Sequence, residues 1–122
     1  RAVSFQKLWD RTARTNAGGL SFPIIRYADV LLMQAEALNE TGNGPSVDAY
    51  AALNRVRTRA GLTPAANLDY ATFREAVWQE RRLEFAFEAQ RRFDLLRTGR
   101  LLDAVKAENS FNRNATIQPF HA

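Results

Sequence analysis

An all-α fold built from antiparallel helical hairpins is predicted for this chain of 122 residues. Apolar residues recur with the period of an α-helix in several long stretches, and Gly or Pro separates one stretch from the next. None of these stretches shows the sustained apolar and polar alternation of a strand. A short Gly-Asn-Gly-Pro loop joins the first two stretches, which predicts that these two helices lie antiparallel.

The first predicted helix covers residues 26–41 and is stopped by Gly42. At about 100° per residue, Asp29, Glu36 and Glu40 fall on one narrow acidic stripe. Nearly all of its other positions are apolar or small. We therefore expect this helix to be covered by neighbours on most of its sides.

The second predicted helix covers residues 47–60, with Ser46 as its N-cap. The third and longest covers residues 70–90, and a fourth helical stretch covers residues 92–96 and, after a break at Gly99, residues 101–107. The main apolar arc of the third helix is formed by Phe73, Ala76, Val77, Leu83 and Phe87. Trp78 and Phe85 fall on nearly the opposite side, so both faces of this helix are predicted to be packed. The hairpins resemble tetratricopeptide units in shape, although the signature of a 34-residue repeat is absent.

Residues 1–122 are interpreted as a single domain. Residues 1–25 are predicted to be irregular, residues 26–107 helical, and residues 108–122 an irregular tail. The sequence lacks a starting Met and opens in the middle of a pattern. We therefore expect it to be a fragment of a larger protein.

The composition limits the chemistry available to the chain. It contains no Cys and a single His, His121, so the usual zinc cluster cannot be assembled. No phosphate-binding Gly loop, Ser-His-Asp arrangement or cofactor motif is present. We accordingly assign no catalytic residue, no metal ligand and no cofactor.

The positive charge of the chain is dominated by arginine. The net charge is +4, and 15 of the 17 basic residues are Arg. Most of these Arg residues lie close to Asp or Glu in the sequence, and Arg pairs with carboxylates in a planar, two-pronged geometry. This pattern favours an internal ion-pair network over a surface that binds nucleic acid.

Glu80 and Glu84 lie within the main apolar arc of the third helix, and Glu88 follows one turn later. Glycoside hydrolysis needs two carboxylates that flank a substrate across a cleft, and carboxylates in file along one packed helix do not provide this. A buried carboxylate needs a paired charge or several hydrogen bonds. The predicted structural network consists of Arg26, Arg57, Glu80, Arg81, Glu84, Glu88, Arg91, Asp94 and Arg97.

Trp9 is the one candidate for ligand contact. It lies in the irregular N-terminal segment, where a flat aromatic face could stack on a sugar ring. Tyr27, Tyr50 and Trp78 lie on predicted helices, so core packing is the better interpretation for them.

Three segments of the sequence resemble the SusD/RagB family, in the order and at the spacing that the family shows. They are residues 23–39, 53–62 and 80–99. The family usually has Gly where this chain has Ala89, and an aromatic residue where it has Arg92 and Thr98. The resemblance identifies the chain as the C-terminal helical part of such a protein.

The resemblance implies a nutrient-binding lipoprotein of the outer membrane of Bacteroidetes-type bacteria. Its partners would be a SusC-like TonB-dependent transporter and an oligosaccharide or other nutrient, with no enzymatic activity and no nucleic acid. The lipid anchor and signal would lie outside this sequence, as would the N-terminal loops that contact ligand. An alternative is a helical protein-interaction module without sugar binding, and a third reading is nucleic-acid binding through the Arg surplus.

Overall fold

The computed structural model describes residues 23–108 as five helices without a strand, which confirms the all-α prediction. Residues 1–22 and 109–122 lie outside the described part, and they include Trp9 and nearly all of the two segments predicted to be irregular. The helices are α1 (Tyr27–Gly42), α2 (Val47–Arg59), α3 (Tyr70–Glu84), α4 (Arg91–Arg97) and α5 (Leu101–Glu108).

Helix α1 is the centre of the fold, because α2 and α3 both pack against it. The core is apolar where these three helices meet, and its largest fully buried apolar side chains are Leu32, Leu53, Val56, Phe73 and Val77. The prediction that α1 is covered on most sides was wrong within the described residues, because only one face of the helix is buried. Val30 and Met33 point outward and remain nearly half exposed among the described residues.

The helix ends follow local sequence signals. The Ser46 side chain accepts a hydrogen bond from the backbone N–H of Ala49 and caps α2, and Asp69 accepts one from Thr72 at the start of α3. Helix α1 continues through Gly42. The residue that takes the left-handed conformation at its end is Asn43, with φ of 50°, because Asn tolerates this region better than most residues.

The third helix is shorter than predicted and ends at Glu84. A turn follows in which Phe87 and Ala89 have φ of 67° and 59°, both left-handed. The helical period therefore no longer applies to Phe87, which is 69% exposed. Leu83 is also exposed, so the prediction that both residues belong to the buried arc was wrong, whereas Phe85, predicted to be packed on the opposite side, is buried.

Among the described residues, no helix combines the length and the apolar character needed to span a lipid bilayer.

Candidate functional site: a buried ion-pair network

The side chain of Arg81 connects three helices. From α3 its Nη1 donates to Asp29 Oδ1 on α1 at 2.7 Å, and its Nε lies 3.0 Å from Asp94 Oδ1 on α4. The Arg81 side chain is 6% exposed, and those of Asp29 and Asp94 are 12% and 11% exposed. Such hydrogen bonds between charged groups, shielded from water, are stronger than neutral ones.

A second arginine extends this cluster towards the surface. Arg97 donates from Nη1 and Nη2 to the two carboxylate oxygens of Glu36, at 2.6 and 2.9 Å, and from Nε to Asp94 Oδ1 at 2.9 Å. The indole Nε1 of Trp78 also donates to Glu36, at 2.8 Å. The hydrogen bond to Glu36 is the main reason why the pKa of Arg97 is raised.

The acidic stripe on α1 thus has a single orientation, towards α3 and α4. Asp29 contacts Arg81 and Glu36 contacts Arg97, while Glu40 accepts a hydrogen bond from the hydroxyl of Tyr70.

Arg26 forms the second cluster, where the chain enters α1. It donates from Nη1 to Glu84 Oε1 at 2.9 Å, and from Nε and Nη2 to the two carboxylate oxygens of Glu88 at 2.8 Å each. Arg59 of α2 also reaches Glu84, at 2.6 Å. The hydrogen bond to Glu88 is the main reason why the pKa of Arg26 is raised.

Phe85 links the two clusters. The guanidinium carbons of Arg26 and Arg81 lie 4.9 and 5.2 Å from the centroid of its ring, and the side chain is buried. Cations are attracted to the face of an aromatic ring, most strongly where water is excluded.

Glu80 forms a third contact, with Arg57 of α2. The distance from Arg57 Nη1 to Glu80 Oε2 is 2.9 Å, and Arg57 Nε also donates to the carbonyl oxygen of Thr63 at 3.0 Å. The Glu80 side chain is 3% exposed. A substrate cannot reach this carboxylate in the observed conformation, so Glu80 is unsuited to the role of a catalytic acid or base.

The structure thus brings together all but one of the nine residues predicted for the network. Arg91 is the exception: it is the first residue of α4 and forms no ion pair within the described residues. Sequence reasoning missed Asp29, Glu36 and Arg59 as members. The acidic stripe on α1 was a signal for the first two, but nothing local distinguishes Arg59 from its neighbours.

Of the three aromatic residues predicted to pack in the core, two are at least half-buried and one is exposed. Tyr50 packs edge-on against Phe73 with ring centroids 5.0 Å apart, and Trp78 is half-buried. Tyr27 was expected in the core, yet it is 59% exposed. The guanidinium of Arg55 covers its ring, and Arg55 Nη1 donates to its hydroxyl at 3.1 Å.

Within the described residues no group of three or more His, Cys, Asp or Glu side chains is placed to hold a metal ion. The buried carboxylates of the network face arginines from other helices, and this arrangement ties the helices to one another. The fold and the network together define a helical-hairpin scaffold closed by internal salt bridges.

The chain belongs to the SusD family, whose sequence model matches residues 3–120. It is 45% identical over 104 residues to the SusD-like protein P25 of Formosa agariphila, a match that covers 80% of this chain and 19% of that protein. A second protein of the same organism, the SusD-like protein P38, is 31% identical over 105 residues, covering 79% of this chain and 20% of the relative.

Solved structures agree with this assignment. A SusD homolog from Bacteroides thetaiotaomicron superposes with a TM-score of 0.64 at 41% identity, covering 79% of this chain and 20% of that one. A SusD superfamily protein from Parabacteroides distasonis gives a TM-score of 0.63 at 36% identity, covering 66% and 17%. The chain therefore spans about a fifth of the length of the relatives it matches.

Proposed function

We propose that this chain is the C-terminal helical scaffold of a SusD-like protein that captures glycans or other nutrients at the outer membrane and is not an enzyme. Membership of the SusD family supports the class, and the span of about a fifth of the relatives supports the assignment as one part of a longer protein. On this proposal the whole protein delivers its ligand to a SusC-like TonB-dependent transporter.

The observation that carries the proposal is the way in which the carboxylates of the network are engaged. Glu80, Glu84 and Asp94 each contact an arginine from a different helix or loop, and all three side chains are at most 11% exposed. A group that is buried and paired in this way stabilises the fold and is poorly placed to meet a ligand. Ligand contacts are therefore proposed to come from other parts of the protein, with Trp9 as the candidate within this sequence.

One observation favours the alternative of a protein-interaction module. Met33 of α1 and Phe93 of α4 line the same surface cavity of about 450 Å³ and are 47% and 66% exposed. Exposed apolar side chains grouped in this way are typical of a surface that another polypeptide covers. In a longer SusD-like protein, the remainder of the same chain would cover it, so the two candidates share this surface.

The proposal is tested by titrating this chain and the full-length protein against a panel of soluble oligosaccharides by calorimetry. We expect binding by the full-length protein and weak or no binding by the chain alone, because a sugar site needs an aromatic platform and fixed polar groups in a concavity. Tight binding by the chain alone would contradict the scaffold assignment. Release of sugar during the incubation would contradict the assignment as a protein that is not an enzyme.

A further inference from the structure

Three arginines from three different elements line one cleft beside α5. Arg82 comes from α3, Arg91 from α4 and Arg100 from the turn that precedes α5. The cleft has a volume of about 600 Å³, and Leu95 and Val105 are among the aliphatic side chains of its wall. We call it the arginine cleft.

The positive charge of the arginine cleft is incompletely balanced within residues 23–108. Arg82 and Arg91 form no ion pair there, and Asp103 is the single carboxylate in the lining. Arg100 pairs with Glu75 at 2.9 Å, but both side chains are about half exposed, and exposed pairs are weak. Burial, together with the nearby charge of Arg82, lowers the pKa of Arg91, which agrees with guanidinium groups held close together.

The lining indicates which kind of anion fits. Guanidinium groups bind carboxylates with two parallel hydrogen bonds, and aliphatic walls accommodate an aliphatic neighbour of that carboxylate. Among the described residues no aromatic ring lines the cleft, so this part of the chain supplies no flat platform on which a sugar would stack. An acidic peptide with aliphatic side chains next to a Glu or Asp matches both features.

We propose that the arginine cleft is a docking site for an acidic segment of polypeptide, whose carboxylate is held by Arg82 and Arg91. Outside residues 23–108 this sequence contains one acidic residue, Asp10. The relatives are about five times longer than their match to this chain, so the segment is assigned to the remainder of a full-length SusD-like protein. The assignment of this segment to the same protein rests on the proposed function. The proposal that the cleft binds an acidic peptide does not.

The test uses short capped peptides and NMR of the arginine Nε–Hε groups of this chain. The probe has one Glu between two Leu residues, its matched control has Gln in place of Glu, and free glucuronate represents a carboxylate on a sugar. We expect the Glu peptide to shift the Arg82 and Arg91 signals saturably and to bind at least about tenfold more tightly than the Gln peptide. Added salt should weaken this binding.

Variants locate the site. Arg82→Gln and Arg91→Gln should each weaken binding of the Glu peptide by about tenfold or more, because each removes a charged donor. Arg92→Gln is the control: Arg92 is exposed and adjacent to Arg91 but does not line the cleft, so binding should be unchanged. The full-length protein should bind the added peptide much more weakly, since its own segment occupies the cleft.

Each other outcome contradicts a defined part of the proposal. Equal binding of the Glu and Gln peptides, no binding of either, or insensitivity to Arg82→Gln and Arg91→Gln would overturn the site. Tighter binding of glucuronate than of the Glu peptide would contradict the proposed peptide ligand and would indicate that the cleft binds an acidic sugar. Undiminished peptide binding by the full-length protein would contradict the assignment of the acidic segment to the remainder of the same protein. If the full-length protein binds no oligosaccharide, the proposed function is contradicted but the peptide result is unaffected.

Discussion

Arg81 and Asp29 are separated by 52 residues in the sequence, yet Arg81 Nη1 lies 2.7 Å from Asp29 Oδ1 in a site that is nearly closed to water. The same guanidinium also reaches Asp94, so one side chain joins α1, α3 and α4. The helices α1 and α3 share an apolar core, whereas α4 contributes no residue to that core. We infer that Arg81 is the main element that fixes α4 to the rest of the fold.

Replacing Arg81 by Met should lower the free energy of unfolding by about 3–5 kcal/mol, because Asp29 and Asp94 would lose a buried partner. Urea unfolding followed by circular dichroism measures this change. Arg92→Met is the matched control, and as a surface substitution it should change the stability by about 0.5 kcal/mol or less. Equal effects of the two substitutions would show that the buried cluster does not hold the fold together.

Glu36 should make the stability depend on acid pH. Burial opposes ionisation of its carboxyl, but the hydrogen bonds from Arg97 and Trp78 outweigh it, so the pKa lies below the ordinary value of 4.5. Because the pKa is lower in the folded state, the stabilisation is present above pH 4.5 and is lost as the pH falls through the folded-state pKa. Thermal unfolding of Glu36→Gln should therefore vary less with pH below 4.5 than that of the unchanged chain, and identical pH profiles would contradict this assignment.

Ala89→Gly should stabilise the protein. Ala89 has φ of 59°, a region that costs a residue with a Cβ about 1 kcal/mol relative to Gly, and the resemblance to the family predicts Gly at this position. The matched control is Ala76→Gly within α3, which should destabilise by about 1 kcal/mol because Gly is unfavourable inside a helix. Urea unfolding of both variants gives the comparison, and a loss of stability in Ala89→Gly would contradict the strained turn.

The apolar surface at Met33 and Phe93 should make the isolated chain self-associate. The double variant Met33→Glu, Phe93→Glu should shift sedimentation towards the monomer, because it places two charges on the surface that we expect to be buried in the associated form. Val47→Glu is the control, since Val47 is 85% exposed at the start of α2, away from that cavity. A monomeric unchanged chain would count against a covered surface here.

The sequence predicted the features that depend on local signals. The order and approximate positions of the helices, the Ser46 cap and the burial of Glu80 follow from periodicity, capping residues and the apolar arc. The end of α3 did not follow from these signals, and a contact with a distant residue lies at that end. In a continued helix the Glu84 carbonyl would accept from the Glu88 N–H, but here Arg26 Nη2 donates to that carbonyl at 3.1 Å and the Glu88 N–H bonds to Phe85.

For the ion-pair network, as for the fold, local features were predictable and contacts between distant residues were not. Alternating Arg and Glu near an apolar arc indicated a network, but the choice of partners depends on how α1, α3 and α4 are placed relative to one another. Arg81 and Arg82 are adjacent in the sequence, and only the fold distinguishes the buried Arg81 from the exposed Arg82. Periodicity alone could not assign one to the network and the other to the arginine cleft.

The most direct test of the scaffold assignment is to measure glycan affinity and stability together in the full-length protein carrying Glu84→Gln. Glu84 contacts Arg26 and Arg59 and is 9% exposed, so we predict a lower unfolding midpoint with an unchanged dissociation constant per folded molecule. Calorimetric titration below the unfolding transition gives the affinity. A large loss of glycan affinity with an unchanged midpoint would contradict the account, because it would place Glu84 in the binding site and outside the structural network.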